Sequence, residues 1–352
     1  MTPRWGLLLV NLGTPAAPTF GAVARYLREF LSDPRVLSLP APLRWALLHL
    51  VILPFRSGKS AAAYRAVWTA EGSPLLVHSR ALAAAVQEKL GPGARVELAM
   101  RYQEPSLQGA LRRLRQAGVD RVVVFPLYPH YAASSWGSTA EAVMRLAARE
   151  WDVPSLAFVP PCYEDPRFID ACAQVARPLL EQLRPDKVVM SFHGLPEEHV
   201  RRSDASAQVG APSPHCLARP DCCHTIAPAN RNCYRAQCHA TARLLAAALG
   251  LAAARWELAF QSRLTRRWIQ PFFDQRIEAL PGEGVKTVLV LEPSFVADCL
   301  ETLEEVGIRA RESFRAAGGE ELTLCPSLNA HPAWVDAVVA MAREAAWVPV
   351  LE

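Results

Sequence analysis

The 352 residues give room for about two domains of ordinary size. Apolar residues at 51% and charged residues at 20% exclude a disordered chain, and a net charge of +4 with no arginine run interleaved by aromatics argues against a nucleic-acid partner. Nine cysteines with no signal-peptide pattern point to a reducing, cytoplasmic setting, where clustered thiols are metal ligands more often than disulfides.

The first apolar run, Trp5 to Leu12, is too short to span a membrane and is followed by no small-residue cleavage site, so it reads as a strand. Seven more runs follow: Arg95 to Arg101, Arg121 to Leu127, Ser155 to Pro160, Lys187 to Phe192, Trp256 to Phe260, Lys286 to Leu291 and Glu321 to Cys325. They are continuous rather than alternating, the signature of parallel strands buried on both faces. Between them, Leu107 to Ala117 and Ala236 to Ala248 carry apolar residues at helical spacing and stop at Gly118 and Gly250. The predicted architecture is α/β, with two doubly wound halves of four strands each. A boundary at Pro160 to Asp165 separates residues 1–160 from 161–329, and a long helix over 330–348 is expected to return to the first half.

Three stretches depart from this winding. Residues 37–55 are strongly apolar but broken by Pro40, Pro42, Arg44 and Pro54. They form either a buried pair of helices or an exposed lip for a large apolar ligand or a membrane surface. Pro129 to Thr139 is a loop of hydroxyl and aromatic residues directly after a strand, where ligands gather. Residues 201–238 hold five of the nine cysteines: Cys216, Cys222, Cys223, Cys233 and Cys238. Paired two-residue spacings typical of zinc are missing there, whereas adjacent Cys222 and Cys223 suit the two irons of a binuclear cluster. His215, His224 and His239 are substitute ligands or bystanders.

Two strand ends carry candidate chemistry. The strand ending in SFHGLP puts His193 at a carboxyl tip, as a loop cap or as a group placed for a ligand. After a later strand, Asp298, Glu301 and Glu305 are spaced by three and four, which predicts one stripe of a helix. That stripe is either a solvated face or a path for a hydrated divalent cation, with His193 its expected partner.

Taken in order, VNLGTP, FLSDPRV, YRAVWTAEGSPL, MRYQEPS, FPLYPHYAASSWGST, SFHGLP, FQSR and PSFVADCLETLEE resemble the ferrochelatases across nearly the whole chain. The resemblance implies two Rossmann-like domains with the active-site cleft between them, and insertion of ferrous iron, as substrate, into a porphyrin at the last step of haem synthesis. It implies that His193 accepts pyrrole protons and, with Glu301, meets the iron, while Asp298 and Glu305 conduct metal or protons. By similarity the porphyrin is held by Leu12, Tyr102, Tyr128 and Trp268, by Ser134, Ser135, Ser138 and Thr139, and at its propionates by Arg56, Lys59, Ser73 and Arg101. An apolar insertion such as 37–55 marks members that take protoporphyrin at a membrane surface; coproporphyrin is the alternative substrate, and a non-enzymatic haem or iron-sulfur sensor the alternative role. Some bacterial members carry a similar cysteine-rich segment around a 2Fe-2S cluster, which implies Cys216, Cys222, Cys223 and Cys233 as ligands, with Cys238 as alternate.

Overall fold

The computed structural model describes residues 5–211 and 213–346. The end of the helix expected over 330–348 lies outside the described residues, and the helix is seen as Pro332–Ala346. All eight expected strands are present: β1 (Trp5–Gly13), β2 (Ala94–Tyr102), β3 (Arg121–Pro126), β4 (Ser155–Phe158), β5 (Lys187–His193), β6 (Trp256–Gln261), β7 (Thr287–Leu291) and β8 (Glu321–Leu324). They form two four-stranded parallel sheets, ordered β2-β1-β3-β4 and β6-β5-β7-β8. The described residues divide into one unit of 5–128, 133–161 and 329–346 and a second drawn from 129–132 and 162–328.

In the first unit, β1 is flanked on both sides, Leu7 lying opposite Val96 of β2 and Val123 of β3. Leu7, Leu8 and Leu9 are fully buried, each side chain contributing roughly 1.5–3 kcal/mol by leaving water. One face of the sheet packs on Leu107, Ala110 and Leu114 of the helix Leu107–Gln116. Trp334 of the helix Pro332–Ala346 meets the Phe125 ring of β3 edge-on, 6.2 Å between centroids. At the end of β1, Gly13 has φ +126°, and a Cβ there would sit 2.2 Å from the Tyr102 carbonyl oxygen, so only glycine closes this strand against β2.

In the second unit, Val188, Met190 and Phe192 of β5 pack toward the helices Pro166–Leu183 and Tyr234–Ala248. Val189 points to the opposite core, with Phe273, Ile277, Val306 and Phe314. Each sheet has the order of a doubly wound fold. The chain leaves the first strand of each half in one direction and the third in the other, so the switch points lie between β1 and β3 and between β5 and β7. The crevice at the carboxyl ends of such strand pairs is where this architecture receives ligands.

Candidate active site

At the β5–β7 switch point the chain presents His193. Its backbone N–H donates to Ser294 Oγ at 3.1 Å. Its Nδ1 lies 2.6 Å from the Gly194 carbonyl oxygen, and since a carbonyl only accepts, the proton sits on Nδ1 and the lone pair on Nε2. Phe295 and Trp268 hold the imidazole from two sides, with ring centroids 6.2 and 6.3 Å away. Gly194 is obligatory here: its N–H donates to the Gln261 carbonyl at 2.8 Å, and a Cβ would lie 2.7 Å from that same oxygen and 3.1 Å from the Trp268 ring.

The carboxylates follow β7, but not as one helical stripe. Asp298 precedes the helix, in a loop where its Oδ1 accepts from the Ser327 N–H at 3.1 Å and from Thr302 Oγ1 at 3.3 Å. Only Glu301 and Glu305 belong to the helix, whose first ten residues, Glu301–Ala310, are wound as π-helix. This wider winding recurs at functional sites. Glu305 accepts from the Ser262 N–H (2.8 Å) and Ser262 Oγ (2.7 Å). Burial raises its pKa above the ordinary carboxylate value, against the opposing pull of Ser262, Arg309 and His193.

Two residues without a role in the sequence reading complete this shell. Gln261 ends β6 in register with His193; it accepts from Ser191 Oγ and donates through Nε2 to the Glu301 carbonyl at 3.2 Å. Glu292 directly follows β7. It is 6% exposed, and among the described residues neither carboxylate oxygen has a hydrogen-bond partner, the Gln261 amide lying near but outside bonding geometry. Burial, compounded by the charges of Glu305, Asp298 and Glu301, pushes its pKa far up. The signal for both was the one that marks His193, a polar residue ending an apolar strand.

In the first unit the expected porphyrin residues separate into two groups. Leu12, Tyr128, Ser134 and Ser135 are half-buried at the ends of β1 and β3, and Trp268 is half-buried in the second unit. Tyr102 is only 1% exposed and its hydroxyl donates to Asp33 Oδ2 at 2.9 Å. Ser138 is also buried and donates to Asp33; Thr139 is buried and donates to the Tyr128 hydroxyl at 3.4 Å; Ser73 is buried and accepts from Thr14 Oγ1 at 2.7 Å. Arg101 is committed internally as well, through Nη2 to Asp33 (2.9 Å) and Nε to Ser138 Oγ (2.8 Å). Long-range packing, invisible in the local sequence, gives these four hydroxyl-bearing side chains and Arg101 partners within the protein.

Arg56 and Lys59 stand exposed, three residues apart on the helix Leu53–Val67. They continue a helical run, Ala41–Ala46, Leu47–Ile52 and Leu53–Val67, that exposes Leu43, Trp45, Leu50, Val51 and Phe55. Leu50 at 64% and Phe55 at 72% exposure answer the buried-hairpin alternative: these side chains form a lip. Among the described residues no helix is long and apolar enough to cross a membrane.

All nine cysteines are free, and the five of residues 201–238 are buried. Cys222 and Cys223 Sγ lie 3.7 Å apart. The influence of Cys216, with burial, raises the Cys233 pKa to about 12. Arg235 donates to Cys223 Sγ at 3.1 Å. Asp204 braces the loop, accepting from the His215 and Cys216 amides at 2.8 and 2.6 Å, while Asn230 Nδ2 donates to the Cys222 and Thr225 carbonyls. Among the described residues no three His, Cys, Asp or Glu side chains are arranged around one point for a metal ion.

A family model described as ferrochelatase matches residues 4–346. The chain is 47% identical over 340 residues to the ferrochelatase of Azotobacter vinelandii (strain DJ / ATCC BAA-1303), covering 96% of this chain and 98% of that one. It is 44% identical over 340 residues to the ferrochelatase of Coxiella burnetii (strain Dugway 5J108-111), covering 96% and 93%. Among solved structures, SirB from Bacillus subtilis with Fe3+ aligns over 97% of this chain and 96% of that one, with a TM-score of 0.53 and 14% identity. The sirohydrochlorin chelatase SirB from Bacillus subtilis subspecies spizizenii in complex with cobalt gives a TM-score of 0.54 at 12% identity, over 98% and 97% of the two chains. Those likenesses carry the fold; the family model and the relatives carry more, and by them this chain belongs to the ferrochelatase family.

Proposed function

We propose that the chain inserts ferrous iron into protoporphyrin, with His193 as the acceptor of the pyrrole protons and Glu301 beside it at the incoming iron. The observation that carries this is the placement of His193 at the switch point with its proton fixed on Nδ1. A free-base porphyrin must lose two N–H protons before a metal fits its plane, and a neutral imidazole with its Nε2 lone pair available suits that task. Asp298, Glu301 and Glu305, drawn together after β7, conduct the metal or the released protons. Iron is substrate here, and hard carboxylate oxygens hold a divalent ion loosely enough to hand it on.

Binding energy away from the nitrogens supplies the bending of the macrocycle that tilts their lone pairs. The half-buried Leu12, Tyr128, Ser134, Ser135 and Trp268 are proposed as its walls, and exposed Arg56 and Lys59 as partners of its propionates. The exposed lip favours protoporphyrin, the more apolar substrate, and a peripheral seat on a membrane surface.

Cys216, Cys222, Cys223 and Cys233 are proposed to hold a 2Fe-2S cluster, with Cys238 as alternate. All four thiols are buried, those of Cys222 and Cys223 lie 3.7 Å apart, and Arg235 beside Cys223 suits the negative charge that thiolates bring, while the four would have to draw closer around the irons than they stand here. When bound, the cluster would cross-link the loop that leaves the catalytic strand. The pKa values of Cys222, Cys223 and Cys233 are raised, so assembly of a cluster on them would release protons.

An anaerobic assay with ferrous iron and both porphyrins, run beside an absorption spectrum, tests the whole reading. Faster turnover of protoporphyrin is expected, together with loss of insertion but not of porphyrin binding in His193→Ala. Coproporphyrin preference would overturn the substrate, near-normal activity of His193→Ala the mechanism, and a colourless zinc-loaded protein the cluster.

A further inference from the structure

The acidic shell has a back door. Behind β7 lies a cavity lined by Phe168 and Cys172 of the helix Pro166–Leu183, by Glu292 and Phe295 after β7, and by Cys325 and Ser327 after β8. It offers about 30 Å³ to water centres, and at about 10–15 Å³ per water that is room for two. Glu292 contributes two buried oxygens without partners and Ser327 a third, its Oγ. Among the described residues no lysine, arginine or histidine lines the cavity.

An apolar cavity stays dry, but one carrying three unpartnered oxygens fills with water. The polar groups around Glu292 are Gln261 from β6, Asp298 and the Cys299 thiol from the loop after β7, Glu301 and Glu305 from the following helix, the Cys325 thiol after β8 and, across the cavity, the Cys172 thiol of the helix Pro166–Leu183. The cavity also touches the acidic shell physically, because the Ser327 N–H donates to Asp298 Oδ1 at 3.1 Å.

We propose that this cavity is a water site and that Glu292 relays protons between the acidic shell and the cavity water during iron insertion. The proposal rests on the chelatase reading above. Each transfer balances: one carboxyl oxygen takes up a proton released by the porphyrin, the other gives its own proton to water, and Glu292 ends neutral as it began. Its burial beside three other carboxyl groups, which keeps it protonated, is consistent with that role.

The test compares the full chain with Glu292→Gln, which keeps shape and hydrogen bonding but cannot pass a proton. At neutral pH the infrared spectrum should lose a protonated-carboxyl band in the variant. Iron insertion should slow roughly tenfold, below the hundredfold or more expected for a direct proton acceptor, with a larger solvent isotope effect and unchanged porphyrin affinity by fluorescence quenching. A folded variant with wild-type rate and isotope effect, or with an unchanged carbonyl region, overturns the relay. If glutamine prevents folding, Ser327→Ala replaces it; a slower rate with a raised isotope effect supports the water site and an unchanged rate overturns it. A wild-type chain that inserts no iron fails the underlying reading, whereas one that inserts iron while Glu292→Gln keeps pace fails the relay alone.

Discussion

Asp33 is the anchor of the first unit, and Asp33→Ala measures how much it holds. Its carboxylate, 7% exposed, accepts from Arg101 Nη2 (2.9 Å), the Tyr102 hydroxyl (2.9 Å), the Arg35 N–H (2.7 Å) and Ser138 Oγ. The Arg101 contact is charge-assisted and only 20% exposed on the arginine side, worth about 1.5–3 kcal/mol; each neutral bond adds about 1 kcal/mol. Tyr102 and Ser138 keep each other at 3.3 Å, so the expected loss at pH 7 is roughly 3–5 kcal/mol. The pH dependence has a definite sign. Burial alone would raise the Asp33 pKa, but Ser138, the Arg35 amide, Tyr102 and the Arg101 charge together hold it below 3.8. A depressed carboxyl stabilises the fold above its unfolded pKa and loses that contribution as pH falls through the folded value. The gap between wild type and variant should therefore close only below about pH 4. Urea titration followed by circular dichroism, with hydrogen exchange at β2 to isolate this unit, reads both quantities. A loss under about 1 kcal/mol, or a gap that widens on acidification, would refute the anchoring argument.

Three further outcomes follow from the same structure. Gly194→Ala should cost about 1–3 kcal/mol by overpacking and lower iron insertion far more than porphyrin binding, because the added methyl meets the Gln261 carbonyl and Trp268 and shifts His193; insertion kinetics unchanged in a folded variant would contradict this. The loop over 201–238 should open in acid: despite burial, hydrogen bonds from Ser206, Cys216 and His215 hold the Asp204 pKa at about 2, so its contribution is present above 3.8 and lost as pH falls toward about 2, which limited proteolysis across that window would detect. Trp45→Ser with Phe55→Ser should weaken binding to phospholipid vesicles at least tenfold in a sedimentation assay, since both side chains are more than half exposed on the lip; equal binding would remove the lip from membrane contact.

Much of this was legible in the sequence because parallel strands buried on both faces write continuous apolar runs, and all eight runs became strands. His193 and the acidic residues were legible as polar interruptions at strand ends. The position of Asp298 was not, because the same three-and-four spacing fits a loop running into a π-wound helix as well as an ordinary helical stripe. Nor were the duties of Arg101 and Tyr102, since their partner Asp33 stands 68 and 69 residues away and only the fold brings it near. Glu292 was hidden differently: LVLE reads as a strand meeting solvent, and only packing reveals that its last residue never reaches it.

The two units share one strand order yet dress the same positions with different chemistry. In the first, the tip of β1 carries Asn11 bonded to Ser79 at 3.1 Å and Thr14 bonded to Ser73, neutral groups that satisfy one another. In the second, the matching tip of β5 carries an imidazole, its neighbour β6 an amide, and the residue after β7 a buried carboxyl. Self-satisfied neutral tips can shape a surface for a ligand but cannot exchange protons with it. Unsatisfied titratable tips can, at the expense of stability, because each buried carboxyl without a partner disfavours the folded state. The second unit thus carries titratable side chains where the first carries neutral ones, and Glu292, which a stability argument alone would remove, is the residue whose retention calls for a function.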